Sequence, residues 1–84
     1  MKTFDYTTQG TCSRSIHIEL NEDNTINSVS FIGGCNGNLK GIGKLVEGMS
    51  AEVVVEKLNG VTCGFKNTSC PDQLAKALNE MLHE

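Results

Sequence analysis

Tryptophan is absent from this chain, proline occurs once, and aromatic residues make up only 5% of it. Its core must therefore be aliphatic. Positive charge is also scarce: seven Lys and Arg stand against ten Asp and Glu, for a formal charge of -3. That balance excludes the basic stripe of a nucleic-acid module, and no nucleic-acid partner is expected. No apolar run approaches the ~20 residues that cross a bilayer, so no membrane association is expected either. The first residues, Met1 to Tyr6, lack an apolar h-region and a small-residue cleavage site, which predicts a cytoplasmic protein. There is no linker, low-complexity tract or internal repeat. Eighty-four residues make one domain, residues 1–84, and a chain this short buries only ~60–65% of its unfolded surface.

Against these absences stand nine glycines and four cysteines. In a reducing compartment, four cysteines point to a metal site or thiol chemistry more than to two disulfides.

The element pattern is legible. Ile16, Ile18 and Leu20 alternate with polar residues and predict a half-buried strand. Asn21–Thr25 is rich in turn formers and predicts a hairpin loop. Ile26 to Ile32 follows as a β-branched strand with Val29 and Phe31 on one face, and Phe4–Thr7 supplies a further strand ahead of both. Gly33–Asn38 has no periodicity and reads as a tight loop. From Leu39 onward, Leu39, Ile42, Leu45, Val46 and Met49 predict an amphipathic helix. Gly41 and Gly43 each cost that helix ~1 kcal/mol relative to Ala, which suggests close packing. Ser50 is placed to cap a second, short helix that carries Val54, Val55 and Leu58 and stops at Asn59-Gly60. In Ser69-Cys70-Pro71-Asp72 a hydroxyl precedes a carboxylate by three residues, the pattern of a reciprocal capping box, with Pro71 in the first turn. Leu74, Leu78, Met81 and Leu82 form the stripe of this third helix. Strands first and helices after predict an α+β domain: a small antiparallel sheet of about three strands, followed by three helices packed on one face.

Cys12, Cys35, Cys63 and Cys70 are separated by 22, 27 and 6 residues, with no C-x-x-C pair. Spacing alone is therefore a weak metal signal. Their contexts are stronger, because each cysteine lies in or beside a predicted loop rather than among apolar residues. Cys35 and Cys70 stand at predicted helix starts, where free N–H groups and the helix dipole stabilise a thiolate. Glycines beside Cys35 and Cys63 allow backbone N–H groups to approach sulfur. Three readings remain open: unrelated thiols, one shared four-cysteine site for zinc or an iron–sulfur cluster, and a redox dithiol of Cys63 with Cys70.

Gly33, Gly34, Asn36, Gly37 and Asn38 follow a strand and precede a helix. They are candidates for binding a cofactor phosphate, from a nucleotide or a flavin, although they match neither G-x-G-x-x-G nor the P-loop. His17 alternates with Ile16 and Ile18 and is expected to face away from the core. Asp72 is the one carboxylate near a candidate cysteine, and helix capping accounts for it. No Ser-His-Asp set or carboxylate pair is present, so no catalytic residue is assigned.

Thr68-Ser69-Cys70-Pro71-Asp72 spells the motif that names the TSCPD-domain family. Gly10-Thr11-Cys12-Ser13, Phe31–Asn38, Leu45–Met49 and Gln73–Leu78 also resemble its small stand-alone members, so the likeness spans nearly the whole chain. A similar domain lies at the C-terminal end of adenosylcobalamin-dependent ribonucleotide reductases. The resemblance implies that Cys12, Cys35, Cys63 and Cys70 are metal ligands, and that the partner is a ribonucleotide reductase or another redox protein. The order of cysteines and helices is also similar, at the level of fold, to U-type iron–sulfur scaffold proteins. There Cys12, Cys35 and Cys70 match cluster ligands, while Ser13-Arg14 and Ser69 depart from the Asp and His of that pattern. Eighty-four residues cannot enclose a radical barrel with its substrate and cofactor, so the expected role is an accessory module, not an enzyme on its own. Zinc is the first expectation for the site and an iron–sulfur cluster the second. The alternative is a small redox or flavin- or nucleotide-binding protein that uses the cysteines as thiols and the Gly33–Asn38 loop for a cofactor phosphate. A homo-oligomer is compatible with either.

Overall fold

The computed structural model describes every residue except Cys12, Cys35, Cys63, Phe65, Lys66 and Glu84, and omits the side chain of Asn36. Three strands, β1 (Lys2–Thr7), β2 (Ser13–Leu20) and β3 (Ile26–Gly33), precede three helices, α1 (Asn36–Val46), α2 (Ala51–Leu58) and α3 (Cys70–Leu82). The strands form one antiparallel sheet in the order β1-β2-β3, as the alternation of Ile16, Ile18 and Leu20 predicts. The domain is α+β.

Two register shifts in the β2–β3 ladder set which side chains reach the core. Ser13 pairs with Gly33 and Ser15 with Ile32, which leaves Arg14 as an extra residue on β2. Glu19 pairs with Ser28 and Leu20 with Ile26, which leaves Asn27 extra on β3. An extra residue reverses the alternation on either side of it. Ser13 and Ile16, three apart, are therefore both buried, and so are Ile26 and Val29. A strict period of two does not foresee this.

Ile16, Ile18, Leu20, Ile26 and Val29 form the sheet side of the core; Val46, Ala51, Val54, Leu74, Ala77, Leu78 and Met81 form the helical side. The opposite sheet face carries Asp5, His17 and Glu19. His17 Nδ1 lies 2.6 Å from Asp5 and Nε2 lies 3.3 Å from Glu19. The hydrogen bond with Asp5, followed by that with Glu19, raises the His17 pKa. His17 thus faces away from the core as expected.

α1 runs back beside β3. A Cβ built on Gly43 would lie 2.6 Å from the Val29 carbonyl oxygen, so this glycine permits the close approach that the sequence suggests. Gly41 has nothing within 4 Å of such a Cβ, and packing does not explain it. Leu39, Gly43 and Val46 are the buried positions of α1, a spacing of four and three. Leu45, expected on the buried stripe, is instead 76% exposed because the face turned to β3 is centred on Gly43. α1 also begins earlier than its apolar pattern, at Asn36 rather than Leu39. First-turn N–H groups have no intrahelical partner, so low-propensity residues can occupy that turn.

After α1, Gly48 has a φ of 85° and turns the chain back to the hairpin. Gly48 N–H donates to Ile26 O, Ile26 N–H to Met49 O, and Ala51 N–H to Asn24 O. Ser50 occupies the N-cap of α2 without a side-chain capping bond, and its backbone instead bridges Thr25. The sequence identifies that helix start but not what holds it. Among the described residues, no helix is long and apolar enough to cross a membrane.

Candidate functional site

The start of α3 carries a buried polar network. Cys70 is 5% exposed and is the first residue of the helix. Ser69, at the N-cap, accepts the Asp72 N–H at 3.1 Å, which is one half of the expected capping box. The other half is replaced. Asp72, 1% exposed, accepts the Gly60 N–H at 2.7 Å on Oδ1. Its Oδ2 accepts the Thr68 hydroxyl at 2.6 Å and Lys76 Nζ at 2.7 Å. Capping therefore does not account for Asp72, which ties the segment after α2 to the start of α3. Burial by itself pushes the Asp72 carboxyl pKa up. The hydrogen bonds from Lys76, Thr68 and Gly60 outweigh it and hold the pKa at about 2.

The same network reaches both flanking segments. Ser69 Oγ–H donates to Val61 O at 2.5 Å. Gln73 donates to Thr68 Oγ1 at 2.9 Å and accepts the Gln9 N–H at 3.1 Å. On the β2 side, the Thr8 and Thr11 hydroxyls donate to Ser13 O at 2.5 and 3.3 Å. Ser13 Oγ lies 3.1 Å from Cys70 Sγ.

Of the four candidate thiols, Cys70 alone is among the described residues; Cys12, Cys35 and Cys63 lie outside them. Residues close to each of the three are described, and they connect. Ser13, next to Cys12, pairs with Gly33, two residues before Cys35. It also touches Cys70 through its hydroxyl. Val61, two residues before Cys63, is bonded to Ser69, next to Cys70. Among the described residues, no three His, Cys, Asp or Glu side chains form a group able to hold a metal ion.

The candidate phosphate loop is shorter than its sequence suggests. Gly33 closes β3 with a φ of 81°, and Gly34 turns the chain with a φ of 79°. Asn36, Gly37 and Asn38 already belong to α1, with Gly37 and Asn38 exposed. The Asn36 side chain lies outside the described residues.

Sequence reasoning singled out the cysteines but not Ser13, Thr8, Thr11, Thr68 or Gln73. A signal was present, since hydroxyl residues bracket Cys12 and precede Cys70, but hydroxyls in a loop carry no direction until the chain folds.

The family profile described as the TSCPD domain matches residues 1–82. A comparison with curated proteins and one with solved structures each gave no significant match.

Proposed function

Because this chain belongs to the TSCPD-domain family, we propose that it is a non-catalytic metal-binding module. Cys12, Cys35, Cys63 and Cys70 are its ligands, and it acts beside a ribonucleotide reductase or another redox protein. The observation that carries the reading is Ser13. This residue joins the segment of Cys12 to that of Cys35 by strand pairing, and to Cys70 by a 3.1 Å contact. The Ser69–Val61 bond brings in the segment that leads to Cys63.

The donor chemistry suits the group. Four thiolates form a closed tetrahedral zinc site or hold an iron–sulfur cluster, and zinc is the first choice because such closed sites are structural. When bound, the metal supplies cross-linking rather than an open coordination position. The chain's own residues hold Cys70 at the α3 N-terminus, where backbone N–H groups favour a thiolate. Asp72 fixes the path of the Gly60 segment against that helix start.

Metal analysis and an absorption spectrum of the anaerobically purified protein test the proposal. A colourless protein with about one zinc per chain is the expected result. A brown protein containing iron would make the site a cluster. A yellow protein with a flavin spectrum favours the redox alternative, and four titratable thiols without metal overturn the reading.

A further inference from the structure

Ser13 stands out among the groups around Cys70 because the backbone is bent to aim it. Its neighbour two residues on, Ser15, lies on the sheet face opposite Ile16 and Ile18, and an uninterrupted strand would put Ser13 there as well. The extra residue at Arg14 turns Ser13 to the core side, where it is 4% exposed and meets the Cys70 sulfur. Bulges of this kind re-aim side chains beside functional sites. Thr8 and Thr11 hold the Ser13 carbonyl, and Thr11 Oγ1 lies 3.2 Å from Ser13 Oγ, so the hydroxyl sits in a fixed frame.

Either atom of the Ser13–Cys70 pair can donate while the sulfur carries a proton. Once Cys70 is a metal-bound thiolate, only the hydroxyl has a proton to give. We propose that Ser13 is a positioning residue of the four-cysteine site, donating its hydroxyl hydrogen to Cys70 Sγ and fixing that ligand's orientation. The inference rests on the metal-binding reading above. Outer-sphere partners of this type typically change metal affinity about 10–100-fold when removed.

The test uses the full chain with Ser13→Thr and Ser13→Val, which share a shape and differ in the hydroxyl, and Ser13→Ala, which adds no bulk. Each protein is loaded with zinc and titrated with a competing chelator. Circular dichroism and the thermal midpoint of the metal-free form are measured alongside. The expected result is about a 10-fold loss of zinc affinity in Val and Ala at unchanged stoichiometry, with Thr close to the parent protein. If the branched side chains do not fit, Ala against the parent decides the question by the same loss. Equal affinity with and without the hydroxyl overturns the proposal while leaving the metal site intact. A parent protein that binds neither zinc nor iron overturns the four-cysteine reading, and this inference with it.

Discussion

Asp72 is a charge held out of water by three donors, and its energetics follow from that arrangement. Satisfied, such a carboxylate is tolerated; with it replaced, the buried Thr68 hydroxyl is left facing a poorer acceptor. Asp72→Asn retains an acceptor oxygen but turns an amide toward Thr68 or Gly60. A loss of about 3 kcal/mol in urea denaturation is expected. The pH dependence has a defined sign. The folded pKa of about 2 lies below the ordinary 3.8, so the contribution is fully present above that ordinary value and is lost as pH falls toward 2. The shift corresponds to stability on the order of 2 kcal/mol. Denaturation midpoints measured between neutral pH and pH 2 should show this acid-labile component in the parent protein and lack it in the Asn variant.

At the scale of elements, the two glycines of α1 separate propensity from packing. Gly41 and Gly43 are equivalent by propensity, and each is poorer than Ala by about 1 kcal/mol. Their surroundings differ. A methyl group at Gly41 meets nothing within 4 Å, whereas at Gly43 it would meet the Val29 carbonyl at 2.6 Å, and neither backbone can yield without moving α1 from β3. Gly41→Ala should therefore stabilise the protein by about 0.5–1 kcal/mol. Gly43→Ala should destabilise it by 1–3 kcal/mol, roughly the cost of overpacking. Chemical denaturation of the two variants, opposite in sign, checks both. The helix was legible from the spacing of Leu39, Ile42 and Val46. Its orientation was not, because Leu45 fits an apolar stripe equally well until β3 selects the face that contains Gly43.

For the molecule as a whole, small size limits stability. The aliphatic core, a dozen buried side chains among the described residues, leaves an 84-residue chain little margin, and long-range polar ties then carry weight. A metal joining the segments before β2, after β3, after α2 and at α3 would add its binding energy to folding. On the proposed reading, removal of the metal with a strong chelator should lower the thermal midpoint by more than about 10 °C, and restored zinc should recover it. An unchanged midpoint in a zinc-loaded preparation would show that the metal contributes nothing to the fold. The strands, helices and cysteine contexts in the sequence suffice to predict the domain class. The links between the described segments beside those cysteines depend on contacts between residues as far apart as Ser13 and Cys70.

The sequence by itself determined what depends on neighbours along the chain. The alternation of Ile16, Ile18 and Leu20, the hairpin at Asn21–Thr25, the three helical stripes and the first turn built by Ser69 and Pro71 are all local. Only the tertiary structure decided what depends on register and approach. A single extra residue at Arg14 turns Ser13 inward, and another at Asn27 puts Ile26 and Val29 on one face. The partners of Asp72 come from twelve residues away at Gly60, and from Thr68 and Lys76 on either side. Propensity and periodicity record which face a residue prefers, but a one-residue shift in pairing reverses that face without changing composition. The donors to a buried carboxylate are chosen by which segments the core draws together.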